Sequence, residues 1–537
     1  MIRFFQWMLL ISLIVTSSLV NAVAANQDDT LEIAVALLQS KSFNEKVKAI
    51  EVLETNGGEQ AKILLNALLD NRVFYIKKDK RLVVGGSQDK EYSVSDALTG
   101  EALGTLHRGQ LQKITLNNKM RRQIRSALAV MNLRNPDAEK RLAAVNQMLD
   151  RPEEEQAQLL EPLLAQERND RVRDAMQIVI ALSNLSSDKP EQRMNAVTAL
   201  EGNIHPAVRN GLSRLQRETR DPAAVKKIAQ VLETIDHKLR LYSLLENLFF
   251  GLSLGSVLVL AAIGLAITFG VMGVINMAHG ELIMIGAYTT YVIQLLMPEH
   301  IGVSVLIAIP AAFIVSGAVG IAIERGVIRF LYGRSLETLL ATFGISLILQ
   351  QTVRSIFSPL NRSVETPAWM SGSWEINSAL SLTLNRLYII AFALLVFAML
   401  YLVLKKTSLG LQVRAVSQNR SMARAMGVRS QWVDAMTFGL GSGIAGVAGV
   451  ALSQLTNVGP NLGQSYIIDS FMVVVFGGVG NLWGTLVSGL SLGVANKFLE
   501  PWSGAVLAKI LVLVFIILFI QKRPRGLFPQ KGRAAEG

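Results

Sequence analysis

After Leu244 the chain carries nine apolar segments of spanning or near-spanning length, and nothing else in it restricts the fold so strongly. They cover about 248–270, 277–297, 303–323, 336–357, 386–404, 432–455, 467–482, 484–500 and 505–521. In lipid every backbone N–H and C=O must be satisfied internally, so stretches of this length fold as helices. Some are short or broken by glycine, which predicts about eight to ten spans. Composition agrees: of 537 residues 50% are hydrophobic and only 18% charged, too apolar for one ordinary soluble domain. The fold class expected is all-α, a polytopic helical membrane part preceded by a polar, helical part. The 53 Lys+Arg against 41 Asp+Glu give a formal +12, but the basic residues crowd between spans and act on membrane orientation rather than on nucleic acid. With no cysteine there is no disulfide, thiolate nucleophile or thiolate metal site.

Arg3 followed by the apolar run Phe4 to Val20 and the small residues Ala22-Val23-Ala24 reads as a secretory signal at 1–24, cut after Ala24. An uncleaved anchor is the rival, and the run is short for a span. Residues 25–240 are then an extracytoplasmic helical domain. Lys140-Arg141-Leu142-Ala143-Ala144-Val145 and Gln192-Arg193-Met194-Asn195-Ala196-Val197 lie 52 positions apart, each after a proline, Pro136 or Pro190, and Asp221-Pro222 opens a further helix. The pattern resembles HEAT-like repeats, which present concave docking faces. A spacer or stabilising cap is the plainer role. Between about 72 and 106, Val73-Phe74-Tyr75-Ile76 and Leu82-Val83-Val84-Gly85-Gly86 predict an inserted β element.

Sidedness follows from three basic clusters. Arg325, Arg329 and Arg334 fill one loop; Lys405, Lys406, Arg414, Arg420, Arg424 and Arg429 fill another; the tail at 526–537 continues the cluster begun by Lys522, Arg523 and Arg525. Nine spans with the N-terminal domain outside place all three clusters inside, as loop positive charge requires. The segment Pro359 to Asn385, with Trp369 and Trp374, falls outside.

The stretch Gly273 to Tyr288 interrupts membrane hydrocarbon with Asn276, His279 and Glu281. Ionisable groups at that depth are costly and face a protein interior or a water-filled path; a short cytoplasmic loop between two spans is the alternative. The loop 405–431 holds six basic and no acidic residues, and its pattern predicts short helices near 411–416 and 421–426. It is either a solvated positive loop or a contact for a cytoplasmic subunit. Gly441-Ser442-Gly443-Ile444-Ala445-Gly446 matches a dinucleotide fingerprint only as a string; inside a span it means tight helix packing. Gly-Leu-Ser-Leu-Gly occurs at 251–255 and 489–493, again in spans, where no nucleophile elbow forms. There is no phosphate loop, so the chain has no ATPase site by that route, and His107, His205, His237, His279 and His300 are too dispersed for a metal.

Asn276-Met277-Ala278-His279-Gly280-Glu281 with Gly286-Ala287-Tyr288, the loop from Thr407-Ser408-Leu409-Gly410 to Met426-Gly427, and Phe476-Gly477-Gly478-Val479-Gly480-Asn481 with Gly484 together resemble the branched-chain amino acid and urea ABC permease family over about 245–530. The resemblance implies a permease domain at 245–525. Its implied partners are a second homologous permease, two cytoplasmic ATP-binding subunits, an extracytoplasmic solute-binding protein and membrane lipid. ATP would be used by those partners, with no cofactor on this chain. It also implies a bacterial inner-membrane location with the N-terminal domain periplasmic, and an ATPase-coupling role for Arg414, Asn419, Arg420, Met422, Ala423, Met426 and Gly427. Here Ser421-Met422-Ala423 stands where the general importer signature has Glu-Ala-Ala, so only the alanine and Gly427 match. The signal and long extension look like the first permease subunit of urea transporters. Urea is neutral, and the path candidates Asn276, His279, Glu281, Asn457, Asn461, Gln464 and Asp469 are mostly uncharged. Branched-chain amino acids or short amides are the alternative solutes, and a membrane-anchored adaptor or sensor the alternative class.

Overall fold

The computed structural model describes residues 31–529, apart from 32, 41, 57, 89, 90, 98 and 150–153. The expected signal segment and its cut after Ala24 lie outside the described residues, as does most of the basic tail. The described chain is mostly helical and divides into two units after Lys238.

In the first unit, α1 (Phe43–Asn56), α2 (Gly58–Leu69) and α3 (Asn118–Asn132) close around Leu53, Leu64, Leu65, Leu68, Met120 and Ile124. Asn117 caps α3 by accepting from the Met120 N–H. Between α2 and α3 runs an antiparallel sheet of β1 (Val73–Ile76), β2 (Leu82–Gln88), β3 (Glu91–Asp96), β4 (Ala102–His107) and β5 (Leu111–Lys113), ordered β4-β3-β2-β1-β5. Side chains alternate faces along a strand. Val73 and Leu82 therefore join the helical core while Phe74 and Val83 join a second apolar cluster with Val94 and Leu111. Two apolar clusters explain why β1 reads apolar throughout. The β element is larger than the expected 72–106: β5 pairs with β1, Phe74 opposite Lys113, and contributes only one buried residue, Leu111, to betray it.

The helices α4 (Ala138–Leu149), α5 (Glu154–Leu164), α6 (Asp170–Asn184), α7 (Pro190–Ala199) and α8 (Pro206–Glu218) follow. The two similar segments sit in α4 and α7 and repeat their local bonding. Arg141 donates to the carbonyls of Asn135 and Pro136, and Arg193 to those of Ser187 and Asp188. The unit is nonetheless not a plain HEAT-like array, because the five-stranded sheet stands between the end of α2 and the start of α3, and Val73 and Leu82 join the helical core. Asp221 caps the next helix, α9 (Pro222–Met272), through the Ala223 N–H.

Six helices among the described residues are long and apolar enough to cross a bilayer: Pro222–Met272, Pro298–Phe330, Ser335–Phe357, Leu384–Lys406, Ser430–Ser453 and Leu482–Lys522. They include α9, α11 (Ile301–Gly326), α12 (Ser335–Phe357), α13 (Leu384–Lys406), α16 (Ser430–Ser453) and α18 (Leu482–Lys522). The expected segment 277–297 is the shorter α10 (His279–Leu296), whose polar first turn and threonines lower its hydropathy. The expected span 467–482 is displaced upstream to α17 (Leu462–Gly477), because Gly478 and Gly480 adopt φ of +101° and +77° and end the helix. A straight 41-residue α18 would be about 60 Å long. Yet Asn481, its N-cap, donates to the Phe528 carbonyl at 3.3 Å, and Phe528 N–H reaches Gly477 at 3.1 Å. Both ends meet at Gly477–Gly478, so the chain reverses at Gly504 (φ +78°, ψ 161°), which separates the expected segments 484–500 and 505–521.

Glycine makes the helix contacts. A Cβ on Gly286 would collide with the Gly446 carbonyl, and one on Gly264 with that of Gly441. The two Gly-Leu-Ser-Leu-Gly copies pack on each other, Gly255 against Gly489 and Leu490, Gly493 against Gly251 and Gly255. Close backbone approach replaces the hydrophobic drive that lipid removes between helices. Outside the spans, β6 (Ser373–Asn377) and β7 (Leu380–Thr383) form a hairpin, and Trp369 Nε1 donates to the Gly302 carbonyl at 3.2 Å.

Candidate functional site

Residues 273–278 leave helical conformation between α9 and α10, starting at Gly273 with φ +66°. Non-helical backbone among membrane helices persists where protein surrounds it, and here Asn276, Ala278, His279 and Glu281 are all buried. Asn276 Oδ1 accepts from the Ala278 N–H at 3.0 Å, and the Met277 N–H is taken by Thr342 Oγ1 at 3.2 Å. His279, fully buried, sets Nε2 against the Ala261 carbonyl of α9 at 2.8 Å. Glu281 Oε1 accepts from Ser346 Oγ at 2.9 Å and Gln350 Nε2 at 2.7 Å. In the first turn of α10 its carboxylate also meets the positive end of the helix dipole.

Thr342, Ser346 and Gln350 had no place in the sequence reading. With Thr338 they recur every fourth position and are buried, a polar stripe on one face of α12. That spacing was available as a signal. Among the described residues Asn276 Nδ2, His279 Nδ1 and Glu281 Oε2 are buried without a hydrogen-bond partner.

The other path candidates lie apart from that cluster. Asn457, Asn461 and Gln464 are exposed; Asn461 Oδ1 accepts from Arg354 Nη2 at 2.7 Å, and Arg354 extends the same every-fourth-residue stripe of α12. Asp469 on α17 is paired with Lys509 at 3.2 Å. The seven candidates thus divide into a buried break, an exposed amide group and an ion-paired carboxylate.

The basic loop forms α14 (Ser408–Gln418) and α15 (Arg420–Ala425). Thr407 caps α14, and Asn419 caps α15 by accepting from the Met422 N–H at 2.9 Å. Gly427, at φ +87°, turns the chain toward α16. Arg420 pairs with Asp434 of α16, bonds the Tyr332 hydroxyl and lies 3.8 Å from the Tyr332 ring centre. Arg424 donates to Ser430 Oγ at 2.7 Å, and Arg414 to the Leu404 carbonyl at 2.9 Å. Ala423 is buried beneath α15, whereas Met422 and Met426 are 59% and 78% exposed. The result is a short helix anchored on its inner face and offering two methionines outward. Asp434 and Tyr332, the anchors, were missed: one acid at the head of a span and one tyrosine in a basic loop carry no periodic signal.

The family model described as branched-chain amino acid transport system / permease component matches residues 247–520. The chain belongs to this permease family. The high-affinity branched-chain amino acid transport system permease protein BraD of Pseudomonas aeruginosa is 31% identical over 300 residues, 53% of this chain and 96% of the relative. LivH of Escherichia coli K12, named for the same transport system, is 30% identical over 293 residues, 53% of this chain and 94% of its own length. The ribose import permease protein RbsC of Escherichia coli K12 is 26% identical over 284 residues, 51% of this chain and 84% of its own length. No solved structure matches. The family match contains the α9–α10 break, the α15 loop and both limbs of α18, so this permease is a multi-pass membrane protein of the transport class.

Proposed function

We propose that this permease is the membrane subunit of an ATP-driven importer and forms half of a translocation path for urea. It pairs with a second homologous permease, two cytoplasmic ATP-binding subunits and an extracytoplasmic solute-binding protein, with its first unit in the periplasm of a bacterial inner membrane. The observation that carries the transport reading is α15: capped by Asn419, locked to α16 through Arg420 and Asp434, and exposing Met422 and Met426. Methionine adapts its shape to a partner groove, and a helix tied rigidly to a span passes a push on the loop directly into the membrane. Six helices long and apolar enough to cross a bilayer, with a buried polar break between α9 and α10, exceed what an anchor for an adaptor or sensor requires.

Urea is supported by the uncharged character of the open polar groups. Asn457 and Gln464 supply amide donors and acceptors, while Asn461 is bonded to Arg354 and Asp469 is already paired with Lys509. The names of BraD and LivH favour branched-chain amino acids as the second reading. Reconstitution with the partner subunits and parallel uptake of labelled urea and leucine separates the two: ATP-dependent urea uptake without leucine uptake is expected, and the reverse result overturns urea. Gly427→Pro should abolish uptake of either solute, because it removes the φ +87° turn after α15.

A further inference from the structure

A cavity of about 350 Å³ lies where α9, the end of α13, α14 and the start of α18 meet, and of its lining the import reading uses only Arg414. Ile267, Val271 and Leu482 give it apolar walls, and Lys405 and Arg414 give it charge. Lys405 Nζ donates to the Tyr401 hydroxyl at 3.1 Å, and Arg414 Nη1 to the Leu404 carbonyl at 2.9 Å. Because Leu404 and Lys405 are neighbours in the last turn of α13, both cations are held at one place. Both acceptors are neutral, and neither cation has a carboxylate at ion-pair distance among the described residues. Two positive charges therefore stand uncompensated beside an apolar hollow.

Aromatic groups stand beside that hollow, Tyr401 in its wall. Trp483 packs edge-on against Phe397 at 5.2 Å and Tyr401 at 5.8 Å between ring centres, and is 52% exposed. Tryptophan and tyrosine concentrate at the headgroup level of a bilayer, and basic pockets between membrane helices on the cytoplasmic side suit anionic headgroups. We propose that the cavity holds the phosphate of an anionic phospholipid between Lys405 and Arg414, with the acyl chains descending past Trp483. The proposal rests on the import reading only for its cytoplasmic side.

The test uses the full chain in nanodiscs of phosphatidylcholine with a minority of phosphatidylglycerol, and reads the lipid retained after release by native mass spectrometry. Preferential retention of phosphatidylglycerol is expected. Lys405→Gln and Arg414→Gln should each weaken it about 5-fold, the gain associated with one basic residue at an anionic surface, and the pair by about 25-fold. Lys405→Arg, which keeps the charge, should retain the lipid and shows that a loss in Lys405→Gln is not misfolding. Unchanged retention in the double variant overturns the proposal. So does displacement of the lipid by glycerol phosphate at equal concentration, since the site would then take a soluble phosphate ester. Neither readout involves transport, so a failure here leaves the import reading standing, and a failure of urea uptake leaves this site standing.

Discussion

In the first unit α4 is tied to the connection between α5 and α6 through Arg141 and Glu167, at 2.7 and 2.8 Å, whereas α10 and α16 of the membrane unit meet at Gly286 and Gly446 with no side chain between them. Each device suits its solvent. Glu167 is buried and still satisfied, taking the Arg141 fork and the N–H groups of Arg168 and Asn169. In lipid an ion pair would cost more than it returns, and dispersion contacts between closely approached backbones do the joining. The membrane unit does use charge at Arg420–Asp434, at the end of a span next to the exposed loop, and at Asp469–Lys509 between α17 and α18, where the lysine side chain is half exposed.

The sharpest way to break the contrast is to give the membrane contact a side chain. Gly286→Leu should leave less than about a tenth of the protein monodisperse after extraction, since α10 and α16 can no longer touch; size-exclusion of the solubilised full chain measures it. In the first unit the corresponding lesion is smaller. Glu167→Ala strands Arg141 and should cost about 2–4 kcal/mol in unfolding of that unit, read by hydrogen exchange, while leaving exchange in α10 and α16 unchanged.

Acid separates the units further. The Arg141 guanidinium beside Glu167 holds that carboxyl down to about 2 against an ordinary 4.5. A carboxyl with a lowered folded-state pKa stabilises fully above its unfolded value and loses that contribution as pH falls through the window toward the folded one. Wild type should therefore lose stability in the first unit between about pH 4.5 and pH 2 more steeply than Glu167→Gln, as followed by thermal unfolding. The smallest effect is expected at Arg171–Glu139, whose side chains are 71% and 73% exposed: Arg171→Ala should change stability by no more than about 0.5 kcal/mol.

Much of this contrast was readable in the amino-acid order, for identifiable reasons. Nine apolar segments could be marked because lipid demands long runs, and Gly441 to Gly446 could be assigned to packing because no strand precedes it. The end of α17 at Gly477 was harder, since Val479 and Leu482 continue the apolar run while positive φ at Gly478 stops the helix. Strand β5 escaped because three residues, two of them exposed, have no period to detect. At the candidate site, Asn276, His279 and Glu281 were conspicuous as polar groups in hydrocarbon, but their partners lie 65 and 69 positions away on α12 for Glu281 and 18 positions back on α9 for His279. Such pairings are a property of packing. The four-residue spacing of Thr338, Thr342, Ser346 and Gln350 was the one trace they left in sequence.

The account turns on α15 facing the compartment where ATP is hydrolysed. Because the chain has no cysteine, Met426→Cys supplies a single thiol at a 78% exposed position. A membrane-impermeant maleimide applied to right-side-out and to inside-out vesicles tests its location directly. Labelling confined to inside-out vesicles, and suppressed when the ATP-binding subunits are added, is the predicted result; labelling from the outer face of right-side-out vesicles would contradict it.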